Sequence, residues 1–298
     1  MDAETQSPDS TPDAPANEDA FRAKLAHDPM QLQGIDLALW THIECLAGLV
    51  AIFEEIIERP KLVGADTPQA RFRFEKPNPH VLQVLMCVRV ASGLRASMIL
   101  LKADHTTEVA VLLRTIDDFL ADIVFVDESI EKGVENVTES QRQFIDKYFV
   151  DDARTVEEQL ADGGKPRGIN HNARRQKVQA SEARLIGFEN PDRMKKMVAT
   201  IDDALSGVVH GDYASAMEMF GGNPPHFHTK GMPVRYDGYR HHVGIYVHRA
   251  LNVFCGVAYK LGHADLAHKI REIRRDFEKT SAYINYREQP SGSNDAAG

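Results

Sequence analysis

Four segments of this chain, each longer than twenty residues, repeat apolar side chains at intervals of three and four positions. They span residues 35–57, 80–102, 106–130 and 239–261. Such intervals place side chains on one face of an α-helix, whereas a half-buried strand alternates every second residue. No comparable run alternates in that way, and no repeat of solenoid length is present. The chain is therefore predicted to be all-α, an antiparallel bundle of about seven or eight helices with four long core helices.

The composition predicts one globular domain between two tails. Hydrophobic residues make up 43% of the 298 residues and charged residues 27%, which is typical of a globular chain. Residues 1–30 are rich in Asp, Pro, Ser and Ala, and are predicted to be a disordered acidic tail that offers a contact to a protein partner. Residues 31–287 are predicted to form a single helical domain, and residues 288–298 a second disordered tail.

Charge and cysteine content indicate a cytoplasmic protein. The net charge of −9 argues against a general nucleic-acid-binding surface. Residues 1–20 contain six acids and no Lys or Arg, unlike the basic start of a signal peptide. Arg89 and Arg95 interrupt the most apolar run, so we expect a buried helix and no membrane contact. The cysteines are odd in number and lack a CxxC pair, which predicts reduced, buried thiols.

Helix-end signals surround a further helix predicted from Asn190 to His210. Asn190 suits the N-cap and Pro191 the first helical position. Gly211 is predicted to end this helix in a left-handed conformation. Ser206 and His210 lie one turn apart near that end. His210 either stabilises the negative helix end or acts in proton transfer or substrate binding.

Charged side chains among apolar neighbours mark the third long segment. Arg114, Asp118 and Asp122 share a helix face there, and charges in such surroundings need partners. Arg114 and Asp118 are four residues apart, so a same-helix ion pair is available. Two interpretations remain open. Arg114 belongs to an interhelical structural salt bridge, or it faces the same pocket as His210 and binds an anionic group such as a phosphate.

Histidines outside this set raise the question of a metal. His226 and His228 lie in the Gly- and Pro-rich loop after the predicted helix, and His241 and His248 lie along the last long segment. Histidine is a common metal ligand, so a metal site is one interpretation and a packed or solvated helix face is the other. The pattern matches no established ligand set. We therefore predict no metal and no cofactor.

Shorter segments carry local predictions. Asp104 is expected to be the N-cap of the third long helix. Thr138 and Gln141 form a capping-box pattern that starts a polar helix, predicted to lie outside the core. The RFRFEKP segment is predicted to be extended and to pack Phe72 and Phe74 on the body, while base stacking on its alternating basic and aromatic side chains is the alternative.

Residues 111–118 (VLLRTIDD) on one helix and residues 205–211 (LSGVVHG) on a later one together resemble a bacterial family of helical proteins of unknown function. That family is similar in general organisation to the HEPN superfamily (higher eukaryotes and prokaryotes nucleotide-binding), many of whose members are RNases in toxin–antitoxin or anti-phage systems. The resemblance implies a nucleotide- or RNA-directed protein that forms a homodimer. It also implies a shared pocket at Arg114, Ser206 and His210.

The chain departs from the ribonuclease signature of that superfamily. The signature is an Arg followed four to six residues later by a His on one helix, usually with a polar residue after the Arg. No such Arg precedes His210. Arg235 and His241 have the spacing, with Tyr236 in the polar position, but they are expected to span a loop and a helix start.

Three function classes follow from these observations. In the first, the protein acts on RNA or nucleotides: His210 transfers protons, Arg114 holds the phosphate beside Asp118, and Ser206 orients the histidine or the substrate. In the second, it is a non-enzymatic interaction module in which the same polar residues specify helix packing. In the third, it is a metal-dependent hydrolase that uses the loop histidines.

Overall fold

The computed structural model describes residues 32–65, 70–131, 138–149, 200, 205–222 and 224–281. Eight α-helices and two short hairpins lie within these ranges, and the prediction of an all-α protein is confirmed. Both predicted tails lie outside the described residues. So does most of the helix predicted to begin at Asn190, together with most of the chain between 150 and 204.

The four long helices begin and end within three residues of their predicted bounds. The helices are α1 (Gly34–Ile56), α2 (Pro79–Lys102), α3 (Thr106–Glu131), α4 (Glu139–Phe149), α5 (described over 205–210), α6 (Tyr213–Met217), α7 (Tyr236–Lys260) and α8 (Ala264–Thr280). The antiparallel hairpins are β1 (Lys61–Val63) with β2 (Arg71–Arg73), and β3 (Phe220–Gly221) with β4 (His226–Phe227). A 3₁₀ turn, Pro233–Arg235, leads directly into α7.

The hydrophobic core lies between α1, α2, α3 and α7, and α8 covers α7 and α1. Burial of these apolar faces is the main favourable term in folding. No disulfide joins the cysteines, of which Cys87 is buried and Cys45 and Cys255 are half-buried. The largest fully buried side chains are Phe53, Phe125, Phe254, Phe277, Leu39, Ile43, Leu46, Leu82, Met86, Leu94, Met98 and Leu101.

Helix directions differ from a simple antiparallel bundle in one respect. Consecutive core helices are antiparallel, but α7 runs parallel to α1 and α3. Near the starts of α1 and α7, the Tyr236 hydroxyl donates to Asp36, and further along the Phe53 and Phe254 rings are 5.9 Å apart. The start of α3 follows directly after the end of α2, where Lys102 pairs with Asp36 at the start of α1. The start of α7 therefore lies at the same end of the bundle as the starts of α1 and α3.

Ion pairs set the register of α1 against α2. Lys102 Nζ lies 3.2 Å from Asp36 Oδ2, and Arg95 reaches both oxygens of Glu44 at 2.7 and 2.9 Å. Both helices are long and apolar enough, by length and composition, to cross a membrane, and 44% and 50% of their apolar windows are buried within the bundle. The absence of a membrane contact stays a prediction.

The N-cap prediction for Asp104 is wrong. Asp104 adopts a left-handed backbone with φ of 65°, and its N–H donates to the carbonyl of Leu101 at the end of α2. The α-helical bonding of α3 begins one residue later, where Val109 N donates to His105 O across 3.2 Å. Aspartate tolerates the left-handed region better than most side chains. Asp104 therefore makes the tight turn between two helices.

The capping box is confirmed, but the placement of its helix is wrong. Thr138 N donates to Gln141 Oε1 at 3.1 Å, and Gln141 N donates back to Thr138 Oγ1 at 3.3 Å. The helix then packs on the bundle: Ile145 is buried, and the Phe144 ring lies 5.6 Å from Phe125. The helix is predicted to continue through Ala161, and residues 150–161 lie outside the described residues.

The predicted extended segment is confirmed over Arg71–Arg73, which form β2, and only one of its phenylalanines is packed. Phe74 lies edge-on to Phe149 at 6.5 Å. Phe72 is 71% exposed, so its predicted packing is wrong. Among the described residues β2 pairs only with β1, where Phe72 faces the exposed Leu62. Alternation along this isolated hairpin places the two side chains toward solvent.

Candidate functional site at the start of helix α7

Arg114 and Asp118 meet in an ion pair on α3. Arg114 Nη1 lies 2.5 Å from Asp118 Oδ1, and the two side chains are 15% and 32% exposed. This is the same-helix pair that the four-residue spacing predicts. The bridge from α3 to α7 uses Asp117 instead, whose Oδ1 lies 2.5 Å from Arg249 Nη1. Arg114 is therefore largely buried and oriented by a carboxylate on its own helix.

Ser206 and His210 lie on α5, which ends as predicted. Gly211 follows with φ of 63°, the left-handed conformation of a helix stop. Ser206 is half-buried and His210 is exposed. Within the described part of the chain, no hydrogen bond or ion pair joins either residue to Arg114 or Asp118. A pocket shared by Arg114 and His210 stays a prediction.

The four histidines considered as metal ligands lie in two parts of the fold: His226 and His228 beside each other at the β3–β4 hairpin, and His241 and His248 on α7. The His226 and His228 rings stack at 4.0 Å, and their nitrogens lie 2.9 and 3.2 Å from the carbonyls of Pro224 and Gly221. His248 on α7 pairs with Glu278 of α8 at 2.8 Å. Among the described residues, no three His, Cys, Asp or Glu side chains are arranged to hold a metal ion.

The densest group of reactive side chains near a surface pocket lies at the start of α7. It contains Glu218, at the end of α6, Arg235, the last residue of the 3₁₀ turn, and Tyr239 and His242 on α7. We call these four residues the Glu218 cluster. Arg235 has helical backbone angles, and positions four and seven residues later lie on the same side of a helix, so the side chains of Arg235, Tyr239 and His242 share one face.

Glu218 connects the members of the cluster. The Tyr239 hydroxyl donates to Glu218 Oε2 at 3.2 Å, and Arg235 Nη2 lies 3.9 Å from Glu218 Oε1. The Tyr239 and His242 rings meet edge-on with centroids 6.0 Å apart. Tyr239 is buried, His242 is half-buried and Arg235 is exposed. The cluster thus reaches from the bundle to the surface.

The surroundings of the cluster determine its protonation. Burial lowers the pKa of His242, the neighbouring His241 lowers it further, and Glu218 opposes the shift. Burial, followed by the Glu218 carboxylate, raises the pKa of Tyr239 well above its usual range. At neutral pH the histidine is therefore neutral and able to accept a proton, and the tyrosine is a hydrogen-bond donor.

A pocket of about 220 Å³ opens beside the cluster. Its polar wall is formed by Glu218 and Arg235. Its apolar wall is formed by Met217, Phe220, Met232 and Val234. This volume is below the roughly 300–1,000 Å³ of typical sites for drug-sized ligands. The pocket is therefore suited to a single ring-sized group.

A second polar group fixes the start of α7 in the bundle. The Tyr236 hydroxyl donates to Asp36 Oδ2 at 2.8 Å, and Lys102 and Arg240 lie 3.2 and 3.7 Å from the same carboxylate. Asp36 is buried on α1, so these partners compensate its desolvation. They tie α1, α2 and α7 together, and they hold Arg235 in position one residue before Tyr236.

The sequence analysis identified only part of this site. The spacing of Arg235 and His241 is visible in the sequence, where a loop and a helix start are expected between them. The 3₁₀ turn continues without interruption into α7, which begins at Tyr236. The expected helix start between Arg235 and His241 is confirmed, and a 3₁₀ turn takes the place of the expected loop. Glu218 was missed because only the tertiary structure brings α6 to α7.

Comparison with protein-family models, with curated proteins and with solved structures found no match for this chain.

Proposed function

We propose that the protein acts on RNA as a metal-independent ribonuclease of HEPN-like organisation, with its phosphate site at the Glu218 cluster. The observation that carries the proposal is the position of Arg235, immediately before the first turn of α7 and on the face of Tyr239 and His242. His241 gives the Arg-to-His spacing of the ribonuclease signature. The resemblance of the chain to that superfamily also suggests a role in bacterial defence or in a toxin system.

Each side chain fits a step of RNA transesterification. His242, neutral at physiological pH, accepts the proton of the ribose 2′-hydroxyl as this oxygen attacks the adjacent phosphorus. Arg235 stabilises the charge that develops on the phosphate oxygens. His241, which is exposed beside His242, is the residue that donates a proton to the departing 5′-oxygen. The products are a 2′,3′-cyclic phosphate and a 5′-hydroxyl, so no metal and no cofactor is needed.

The test is RNA cleavage by the purified protein in the presence of a chelator. We expect Arg235→Ala and His242→Asn each to reduce the rate by about 10²-fold or more. His263→Asn, at an exposed histidine just beyond α7, is the matched control and should retain the wild-type rate. Circular dichroism of each variant verifies the fold. Absence of cleavage by the wild type, with RNA left intact on expression, would refute the proposal.

The same assay separates the Glu218 cluster from the site proposed on α3 and α5. His210→Asn and Arg114→Lys are expected to keep most of the activity, because no described bond joins these residues to the cluster. If both abolish cleavage while Arg235→Ala does not, proton transfer belongs to His210, with Ser206 and Asp118 as its supporting residues.

A non-enzymatic interaction module is the second candidate, and a different surface favours it. The exposed aliphatic side chains on α1 and α2 are Leu37, Ile52, Val88 and Ile99. The register of the two helices places Val88 near the level of Ile52, and Ile99 near the level of Leu37. Arg95, between them, is neutralised by Glu44. Such an apolar face suits a protein partner, and a second copy of this chain is the first to test.

Light scattering over a concentration series tests this candidate. We expect a dimer for the wild type and a monomer for the double variant Val88→Glu, Ile99→Glu. Leu62→Glu, at an equally exposed residue on β1, is the control and should remain dimeric. A wild type that stays monomeric throughout the series would exclude self-association through this face.

A further inference from the structure

We infer that the pocket between Glu218 and Arg235 receives one unstacked base of single-stranded RNA and prefers guanine. The inference rests on the proposed function and adds to it a substrate class and a base preference. It follows from three features of the pocket: its apolar wall, its carboxylate and the adjacent arginine.

The apolar wall offers contacts to a planar ring. Met217, Phe220, Met232 and Val234 line it, and Val234 is 78% exposed. Met232 packs against the backbone of Gly221, where an added Cβ would lie 2.5 Å from its Cε. The glycine therefore allows the methionine to approach the β3–β4 hairpin closely. A base placed here gains stacking and dispersion contacts that do not depend on its identity.

The hairpin beside the pocket presents a second aromatic surface. The Phe220 and Phe227 rings lie 4.8 Å apart, and Phe227 is 63% exposed. Single-stranded RNA is bound in this manner elsewhere: its unstacked bases lie on exposed aromatic side chains, and its phosphates contact arginine or lysine. A neighbouring base therefore has Phe227 as its stacking partner while the first base occupies the pocket.

Glu218 provides the preference among bases. An ionised carboxylate only accepts hydrogen bonds, and its two oxygens have about four acceptor positions. The Tyr239 hydroxyl uses one of them, on Oε2. Guanine alone among the RNA bases offers two adjacent donors, N1–H and the 2-amino group, on its Watson–Crick edge. Adenine and cytosine place an acceptor beside their amino group, and uracil places carbonyl oxygens on both sides of its N3–H.

Arg235 connects the base-binding pocket with the proposed cleavage site. Its guanidinium belongs both to the pocket wall and to the Glu218 cluster. A nucleotide whose base lies against Glu218 therefore has its own phosphate within reach of Arg235. Cleavage is expected on the 3′ side of the captured guanosine, where the 2′-hydroxyl of that nucleotide is the nucleophile.

Binding and cleavage are measured separately, so that the two proposals can fail independently. Binding is titrated calorimetrically with 3′-GMP, 3′-AMP, 3′-CMP and 3′-UMP. Cleavage is mapped on short uridine-rich RNAs that carry one G, inosine, A or C. We expect 3′-GMP to bind about tenfold more tightly than the other three nucleotides, the scale of one good bidentate contact. Inosine, which lacks the 2-amino group, should fall between guanosine and adenosine.

Two variants test the wall residues. Glu218→Gln should remove the preference for guanine, because its amide replaces one acceptor oxygen by a donor. Phe220→Ala should weaken binding of all four nucleotides by about tenfold, the scale of one lost base-stacking contact. Glu272→Gln, at an exposed carboxylate on α8, is the matched control and should bind as the wild type does.

The outcomes decide between the proposals. Guanine-selective binding without cleavage supports the pocket and refutes the ribonuclease. Cleavage with equal binding of all four nucleotides, unchanged in Glu218→Gln, refutes the pocket and leaves the ribonuclease standing. A wild-type self-association that Phe227→Asp abolishes, without nucleotide binding by either form, assigns the aromatic hairpin to a protein interface and overturns the inference.

Discussion

Tyr239 on α7 donates a hydrogen bond of 3.2 Å to Glu218 at the end of α6, and this bond joins the pocket to the bundle. Tyr239 is buried, whereas the Glu218 side chain is 37% exposed. One end of the bond is thus immobilised by packing, and the other reaches the pocket wall. The hydroxyl fixes the carboxylate that influences His242 and forms part of the pocket wall.

Replacing Tyr239 by Phe removes that hydroxyl and leaves the ring in place. We expect the free energy of unfolding to fall by about 1 kcal/mol, below the usual value for a bond to a charged group because Glu218 is partly solvated. Urea unfolding measures the change. Tyr259→Phe is the control, since Tyr259 is 61% exposed on the same helix. Equal stability of the two variants would show that the bond contributes nothing.

Neutralising Glu218 should change the titration of His242. The carboxylate is the group that raises the pKa of His242 against burial and His241. Glu218→Gln therefore lowers this pKa further below its wild-type value. NMR titration of the histidine ring protons gives the measurement. Glu272→Gln on α8 is the control and should leave the His242 titration curve unchanged. A rise of the His242 pKa in Glu218→Gln would contradict the stabilisation of the protonated His242 ring by the Glu218 carboxylate.

Stability should fall as the solution becomes acidic. Burial lowers the pKa values of His80, His242 and His248 below their ordinary value of 6.5. Below pH 6.5 the unfolded chain binds more protons than the folded one, so the contribution present above that pH is lost as pH falls through the folded pKa values. Urea unfolding between about pH 7.5 and about pH 5.5 tests this. A constant free energy of unfolding across that interval would refute it.

Gly231 and Gly262 form a matched pair for testing the position of the pocket loop. Both have positive φ, of 102° and 85°. An added Cβ at Gly231 would meet Thr106 Oγ1 of α3, whereas at Gly262 it would meet nothing within 4 Å. We expect Gly262→Ala to lose about 1 kcal/mol from backbone strain alone.

Gly231→Ala should lose about 3 kcal/mol, since the loop must also move away from α3. It should also weaken nucleotide binding at the proposed site, because Met232, the next residue, lines the pocket. Thermal unfolding and nucleotide titration of both variants give the comparison. Similar losses of unfolding free energy in the two variants would mean that the close approach of Gly231 to α3 does not contribute to the stability of the protein.

The pair of Arg95 and Glu44 can be tested by a double-mutant cycle. The Glu44 side chain is 9% exposed and that of Arg95 45%. Arg95→Met leaves a buried carboxylate without its partner and should lose about 2 kcal/mol, less than for a fully buried pair. Adding Glu44→Leu should recover most of that loss. If the double variant is less stable than Arg95→Met alone, the loss of stability in Arg95→Met does not come from leaving the Glu44 carboxylate without its partner.

The candidate site was only partly accessible from the sequence. The Arg235–His241 spacing and the ion pair of Arg114 with Asp118 are local features, so they could be identified by counting residues. Glu218 could not, because 17 residues separate it from Arg235 and no periodicity joins them. Its role depends on the way the loop folds back over the start of α7.

The bounds of the long helices, the capping box at Thr138 and the left-handed stop at Gly211 were determined by the sequence alone. Each depends on residues within about one or two turns of one another, where steric and hydrogen-bonding preferences are local. The tertiary structure decided the direction of α7, the burial of α4 and the assembly of the Glu218 cluster. An apolar face determines which side of a helix is buried, but not in which direction the helix runs through the bundle. Only long-range contacts such as Asp36 with Tyr236 and Phe53 with Phe254 determine that.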